Sequence, residues 1–189
     1  TMDDRVAACN GLLLETTDNG NGTVTYYWRL DQPISSYLAN VSVAPYISVE
    51  GSIDAINGSL PYQIFGRKSD SSNIIGSFQN LEAAVKRFEE TYGEYRFDKV
   101  GYNLVPFNAG AMEHATNITY PIYAVNGGVG QGGLMAHELA HMWWGDNVTC
   151  QTDGDMWINE GWASFSEYLF LEDVYSRERY ESAMKADLR

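Results

Sequence analysis

The chain has 189 residues, 44% of them apolar, and a formal net charge of -13. That length suits one large domain or two small ones with a buried core. So acidic a surface argues against nucleic-acid phosphate as a partner, and no run of about eighteen apolar residues is available to span a membrane.

No secretory leader is legible in Thr1–Arg5. Sparse lysine with abundant Tyr, Asn, Gly and Ser points to an exported protein. Cys9 and Cys150 are far apart and form no Cys-x-x-Cys pair, so they read as free, buried thiols rather than a disulfide scaffold. Asn21, Asn40, Asn57, Asn117 and Asn147 each begin an Asn-x-Ser/Thr pattern.

Residues 1–76 read as β structure. Leu12–Thr17 and Thr23–Leu30 flank Asp18-Asn19-Gly20-Asn21-Gly22, whose Asn-Gly steps tolerate positive φ and predict a hairpin. From Asn40 to Glu50 the apolar residues Val41, Val43, Ile47 and Val49 alternate, which puts them on one strand face, with Pro45 marking an edge or a break. Asn57-Gly58 offers a turn before a short strand from Pro61 to Phe65. Residues 67–76, with Lys68, Asp70, Ser71, Ser72 and Asn73, read as a linker. The expected division is therefore 1–76, a β-rich segment without recognisable chemistry, and 77–189, a segment that carries the chemistry.

The period then becomes helical. Phe78, Leu81, Val85, Phe88 and Tyr92 form a core-facing stripe ending at Gly93. Strands are predicted over Val100–Pro106 and Thr116–Ala124. The loop between them contains Gly110-Ala111-Met112-Glu113-His114, where small Gly110 and Ala111 let a peptide backbone approach and Glu113 can hold an ammonium group. Gly128, Gly130 and Gly133 fit Gly-x-Gly-x-x-Gly, which raises a dinucleotide site as a second enzyme reading. No clean βαβ unit surrounds the match, and a flexible loop into the next helix is the better account.

That helix, Leu134–Trp144, carries His137-Glu138-Leu139-Ala140-His141. Residues four apart stack on one helix face, so both imidazoles can reach one metal ion, while Glu138 reaches a water beside it. Catalytic zinc takes three protein ligands plus water. Glu160, in Trp157-Ile158-Asn159-Glu160-Gly161 on a second helix over Trp157–Tyr175, is placed as the third. Glu167, seven residues on, shares nearly the same face and can orient a ligand histidine. A final charged helix over Arg177–Arg189 carries Tyr180, Met184 and Leu188.

His-Glu-x-x-His, an eighteen-residue gap and Asn-Glu-Gly resemble the gluzincin aminopeptidases of the aminopeptidase N family. Gly110–His114 resembles that family's Gly-x-Met-Glu-Asn signature, and precedes the zinc helix as it does there. The resemblance is clearest from Phe88 to Tyr175. It implies an α+β fold: the end of a β-rich N-terminal domain, then the start of a thermolysin-like zincin domain with a mixed sheet and zinc-binding helices. It also implies one Zn2+ per chain on His137, His141 and Glu160. Glu138 becomes the general base, Gly110, Ala111, Met112 and Glu113 the substrate loop, and a peptide with a free N-terminus the substrate.

Two departures stand out. His114 occupies the family's Asn position, and the family's oxyanion-stabilising tyrosine has no counterpart before the end of the chain. The expectation is a piece of a longer enzyme that binds zinc but hydrolyses peptides poorly alone. Other readings are a zinc-binding interaction module without catalysis, which intact Glu138 argues against, and the epoxide hydrolysis known for a family relative.

Overall fold

The computed structural model describes Met2 and residues 4–187. Strands β1 (Val6–Cys9) and β4 (Val41–Ala44) pair antiparallel. The predicted hairpin forms from β2 (Leu12–Asp18) and β3 (Val24–Arg29), with the Asn-Gly steps at its tip. A four-stranded sheet follows, in the order β5 (Ile47–Ala55), β6 (Gly58–Gly66), β7 (Val100–Val105), β8 (Ile118–Pro121). The β5–β6 pair is an antiparallel hairpin turning at Asn57-Gly58, whereas β6–β7 and β7–β8 run parallel. With helices packed on this mixed sheet, the fold is α+β, as expected.

Three features differ from the sequence expectation. Residues 67–76 are not a linker: they form a 3-10 turn over Lys68–Asp70 and helix α1 (Ser71–Ser77). Arg67, itself half-exposed, pairs with the buried Asp70 at 2.8 Å, so the polar residues that suggest a loop instead organise a helix start. The four-stranded sheet also crosses residue 76, because β6 and β7 lie on either side of it. The proposed 76/77 division is thus not a break between sheets. Likewise Val41 and Val43 share a face, but that face is exposed, at 66% and 50%.

The core forms where the helical stripe meets the sheet. Helix α2 (Leu81–Tyr92) presents Leu81, Ala84, Val85 and Phe88 inward, each at most 3% exposed, and ends at Gly93. Burying a side chain such as Phe88 completely stabilises by about 1.5–3 kcal/mol. Trp143 lies edge-on to Phe88 and Tyr95, and its indole N–H donates to the Gly93 carbonyl. Helices α3 (Gly132–Ala140) and α4 (Trp157–Val174) pack on each other and on α2, and α5 (Arg177–Asp187) follows. Leu188 of the expected terminal stripe lies outside the described residues.

Candidate metal centre and active site

Helix α3 is short because its sequence starts and stops it. Gly132 and Gly133 open it, and His141 stands just past its last residue. The opening glycines permit close packing on α4. A β-carbon at 132 would come within 3.1 Å of the Phe170 ring, and one at 133 within 3.2 Å of a Glu167 carboxylate oxygen. The Gly-x-Gly-x-x-Gly match is therefore answered in part by helix contact.

With α3 and α4 face to face, three ligand atoms converge. His137 Nε2 stands 3.2 Å from His141 Nε2. Glu160 Oε2 is 3.3 Å from the first and 3.7 Å from the second. In a tetrahedral zinc site with metal–nitrogen bonds of about 2.0–2.1 Å, ligand atoms sit about 3.3–3.4 Å apart. The triangle fits that spacing without movement of the chain. Each ring is also held from behind: His137 Nδ1 lies 2.8 Å from Glu167 Oε1, and His141 Nδ1 lies 2.9 Å from the Trp144 carbonyl. A hydrogen bond at Nδ1 leaves Nε2 as the free lone pair, which is what a metal requires.

A second group, Glu113, Glu138 and His141, also brings its ligand atoms within 4.8 Å of one another. It offers two carboxylates and a single imidazole, and shares that imidazole with the first group. Two braced imidazoles make the first set the better match to zinc.

Burial works against a charged His137, yet the carboxylates of Glu160 and Glu167 outweigh it and raise the ring to about 10. Burial lowers His141. Glu160 is held below its ordinary range, chiefly by its contact with His137. Two imidazoles and a carboxylate crowded on one point, with Glu167 behind, produce this pattern.

Glu138 is 5% exposed, and its Oε2 has no hydrogen-bond partner. Desolvation raises it to about 8, with His137 opposing and Glu113, Glu160 and Glu167 reinforcing. A carboxyl poised near neutrality beside the ligand cluster suits proton transfer at that point.

A cavity of about 530 Å3 opens over these groups. Its lining includes Gly110, Ala111, Glu113, Gly130, Gln131, Gly133, Leu134 and all five acid and imidazole groups named above. Among its lining residues there is no tyrosine, lysine or arginine. Gly110 takes φ 66, a conformation that glycine adopts freely, where the loop enters the cavity. Met112 is not a lining residue. Its backbone instead pairs with Thr119 in both directions, at 2.9 and 2.8 Å, and ties the loop to β8. His114 belongs to neither ligand group; its Nδ1 faces Thr119 Oγ1 at 2.9 Å and Asn40 Nδ2 at 3.2 Å.

Some residues at the site carry no signal in the sequence. Asp146 is 3% exposed with both carboxylate oxygens unpartnered, and desolvation followed by Glu113 and Glu138 raises it well above the usual range. Its place beside Gly145 reads only as a turn. Tyr37, from the β-rich segment, donates to the Gly145 carbonyl and accepts from Asn159 Nδ2, both at 3.4 Å. Burial, then Glu113 and Asp146, push its phenol up to about 12. No periodicity connects residue 37 with residue 159; only the tertiary fold does.

Comparison with known proteins agrees with this geometry. The chain is 34% identical over 150 residues to an aminopeptidase N of Streptomyces lividans, which is 71% of this chain and 17% of that protein. It is 34% identical over 152 residues to human aminopeptidase N, covering 72% and 15%. The chain thus spans about a sixth of the length of these relatives. An M1 zinc metallopeptidase of Deinococcus radiodurans superimposes with a TM-score of 0.85 at 23% identity, covering 98% of this chain and 41% of that one. Since residues 77–188 match the Peptidase family M1 domain, the chain belongs to peptidase family M1.

Proposed function

We propose that this chain carries the zinc-binding part of an aminopeptidase, which removes N-terminal amino acids from peptides. His137, His141 and Glu160 would hold one zinc ion per chain. The observation that carries the reading is the convergence of their three ligand atoms, with both Nδ1 atoms braced behind them. Bound there, zinc would supply Lewis acidity, lowering the pKa of water and polarising a carbonyl. Glu138 takes the proton from the attacking water and delivers a proton to the leaving amine. Glu113 holds the substrate's terminal ammonium by a charge-assisted hydrogen bond, which fixes how many residues precede the scissile bond. Gly110 and Ala111 leave room for the substrate backbone, and Glu167 keeps the His137 ring in register. The named relatives are aminopeptidases, and the Deinococcus neighbour is described with a bound Tyr-Ser-Ala substrate.

The test is zinc content after dialysis, in the wild type and in His141→Ala. About one zinc per wild-type chain and little in the variant supports the site. Hydrolysis is then compared between an aminoacyl arylamide and its N-acetylated form. Equal rates on both would remove Glu113 from its role and the exopeptidase reading with it.

A further inference from the structure

A second pocket lies away from the metal centre. It has a volume of about 430 Å3, and its walls include Leu12, Leu13 and Leu14 of β2, Pro61, Tyr62 and Gln63 of β6, and Lys99. Lys99 sits just before β7 and is 3% exposed. Its Nζ rests over the Trp28 ring, 4.6 Å from the centroid. Its only hydrogen bonds among the described residues are long, 3.4 Å to the Cys9 carbonyl and 3.5 Å to Gln63 Oε1. No carboxylate among the described residues stands within 4.0 Å of it, whereas Lys86 pairs with Glu82 and Lys185 with Glu181. Gln63 is turned toward Lys99 because its amide donates to Glu50 at 2.7 Å. On the other face, Trp28 Nε1 has no partner.

Desolvation lowers Lys99 to about 7; Cys9 and Glu50, the titratable groups that act on it, pull weakly the other way. A buried amine that gives up its proton more readily than an exposed lysine, at the wall of a pocket lined by Leu12–Leu14 and Tyr62 with Glu50 and Gln63, is a nucleophile.

We infer that Lys99 is a covalent capture site for small aldehydes with an apolar body, seated against Leu12–Leu14 and Tyr62. The amine lone pair adds to the carbonyl carbon and the nitrogen loses a proton to the oxygen, giving a carbinolamine. Loss of water then forms the imine, with no net oxidation, and hydrolysis reverses it. Glu50, close to Lys99 through Gln63, can relay the proton. The site is independent of zinc and of peptide hydrolysis.

The experiment uses benzaldehyde and cyanoborohydride, which reduces the imine to a stable benzylamine, followed by peptide mapping. At pH 7, Lys99 is expected to label at least about tenfold faster than Lys68, Lys86 or Lys185, as its larger neutral fraction demands. Its labelling rate levels off above about pH 7, while theirs keep rising. Leu13→Trp fills the pocket and is expected to slow Lys99 alone, with the melting curve recorded to show that the variant is folded. Labelling of the other lysines while Lys99 stays unmodified overturns the proposal. So does Lys99 labelling that a folded, pocket-filled variant leaves unchanged. Should that variant not fold, the pH profile of the wild type decides: a Lys99 rate that keeps rising with those of the other lysines overturns the proposal.

Discussion

Glu138 is the residue on which the proposed chemistry turns, and its environment can be separated from its charge. Glu138→Gln keeps the volume and removes the base. Turnover is expected to fall about 10²–10⁴-fold while zinc content stays at the wild-type level. Equal loss of zinc and activity would instead make Glu138 part of the metal cage. Lys99 gives a prediction with a definite sign. Its amine titrates at about 7 when folded against an ordinary 10.5. Below about pH 7 both states are charged and the folded one bears the whole burial penalty; above about 10.5 neither is charged and the penalty is gone. Lys99→Met is therefore expected to raise the melting temperature more at pH 6 than at pH 10. A gain independent of pH would contradict the buried, titrating amine. At this scale the pairing of His137 with His141 is legible in the sequence because helix geometry turns spacing into direction, and Glu160 is legible through the Asn-Glu-Gly run that the resemblance singles out. The Trp144 carbonyl behind His141 is not, since every residue has one.

At the scale of elements, strand β7 is built around an omission. A β-carbon on Gly101 would stand 2.0 Å from the Thr116 carbonyl oxygen, a backbone atom, so one of the two backbones would have to shift. Thr116 is itself fully buried, with φ 57, two residues before β8 and three after Glu113. Gly101→Ala is expected to cost about 1–3 kcal/mol, read by denaturant unfolding. It should also weaken substrate binding, because the clash pushes on the loop that carries Glu113. A neutral outcome would mean that the loop is looser than its hydrogen bonds to β8 indicate. Hairpins at Asn-Gly steps and the α2 stripe were readable, because turn chemistry and a period of 3.6 are local signals. Residues 67–76 were not: whether Ser71, Ser72 and Asn73 make a loop or a helix start depends on Arg67 and Asp70 pairing beneath them. The same holds for Val41 and Val43, since alternation names a shared face but not what covers it.

For the molecule as a whole, the metal is expected to act as a fold ligand. Its proposed ligands come from α3, from the residue that caps it and from α4, so binding requires both helices in place. Zinc at about 1,000 times its dissociation constant should add about 4.1 kcal/mol to stability, and a chelator should remove it, as a melting curve would show. Turnover is a separate matter. The cavity lining contributes no phenol or cation to steady a tetrahedral oxyanion. A missing donor of that kind costs about 10²–10³ in rate, so the 189-residue chain should bind zinc well and hydrolyse slowly. Turnover equal to that of a longer family relative on the same arylamide would refute this.

The glycines that open α3 carry one more implication. Where Gly133 faces Glu167, the helices are spaced by the lack of a methyl group. Glu167 in turn sets the angle of the His137 ring, and that ring lies on the same helix as Gly133. The path leaves α3, crosses to α4 and returns one turn later, so a change at 133 reaches 137 through a neighbour rather than along its own backbone. Gly133→Ala, though it touches no ligand atom, should loosen zinc about tenfold or more by tilting an imidazole. In this molecule an empty space four residues away would be part of how the proposed site holds its metal.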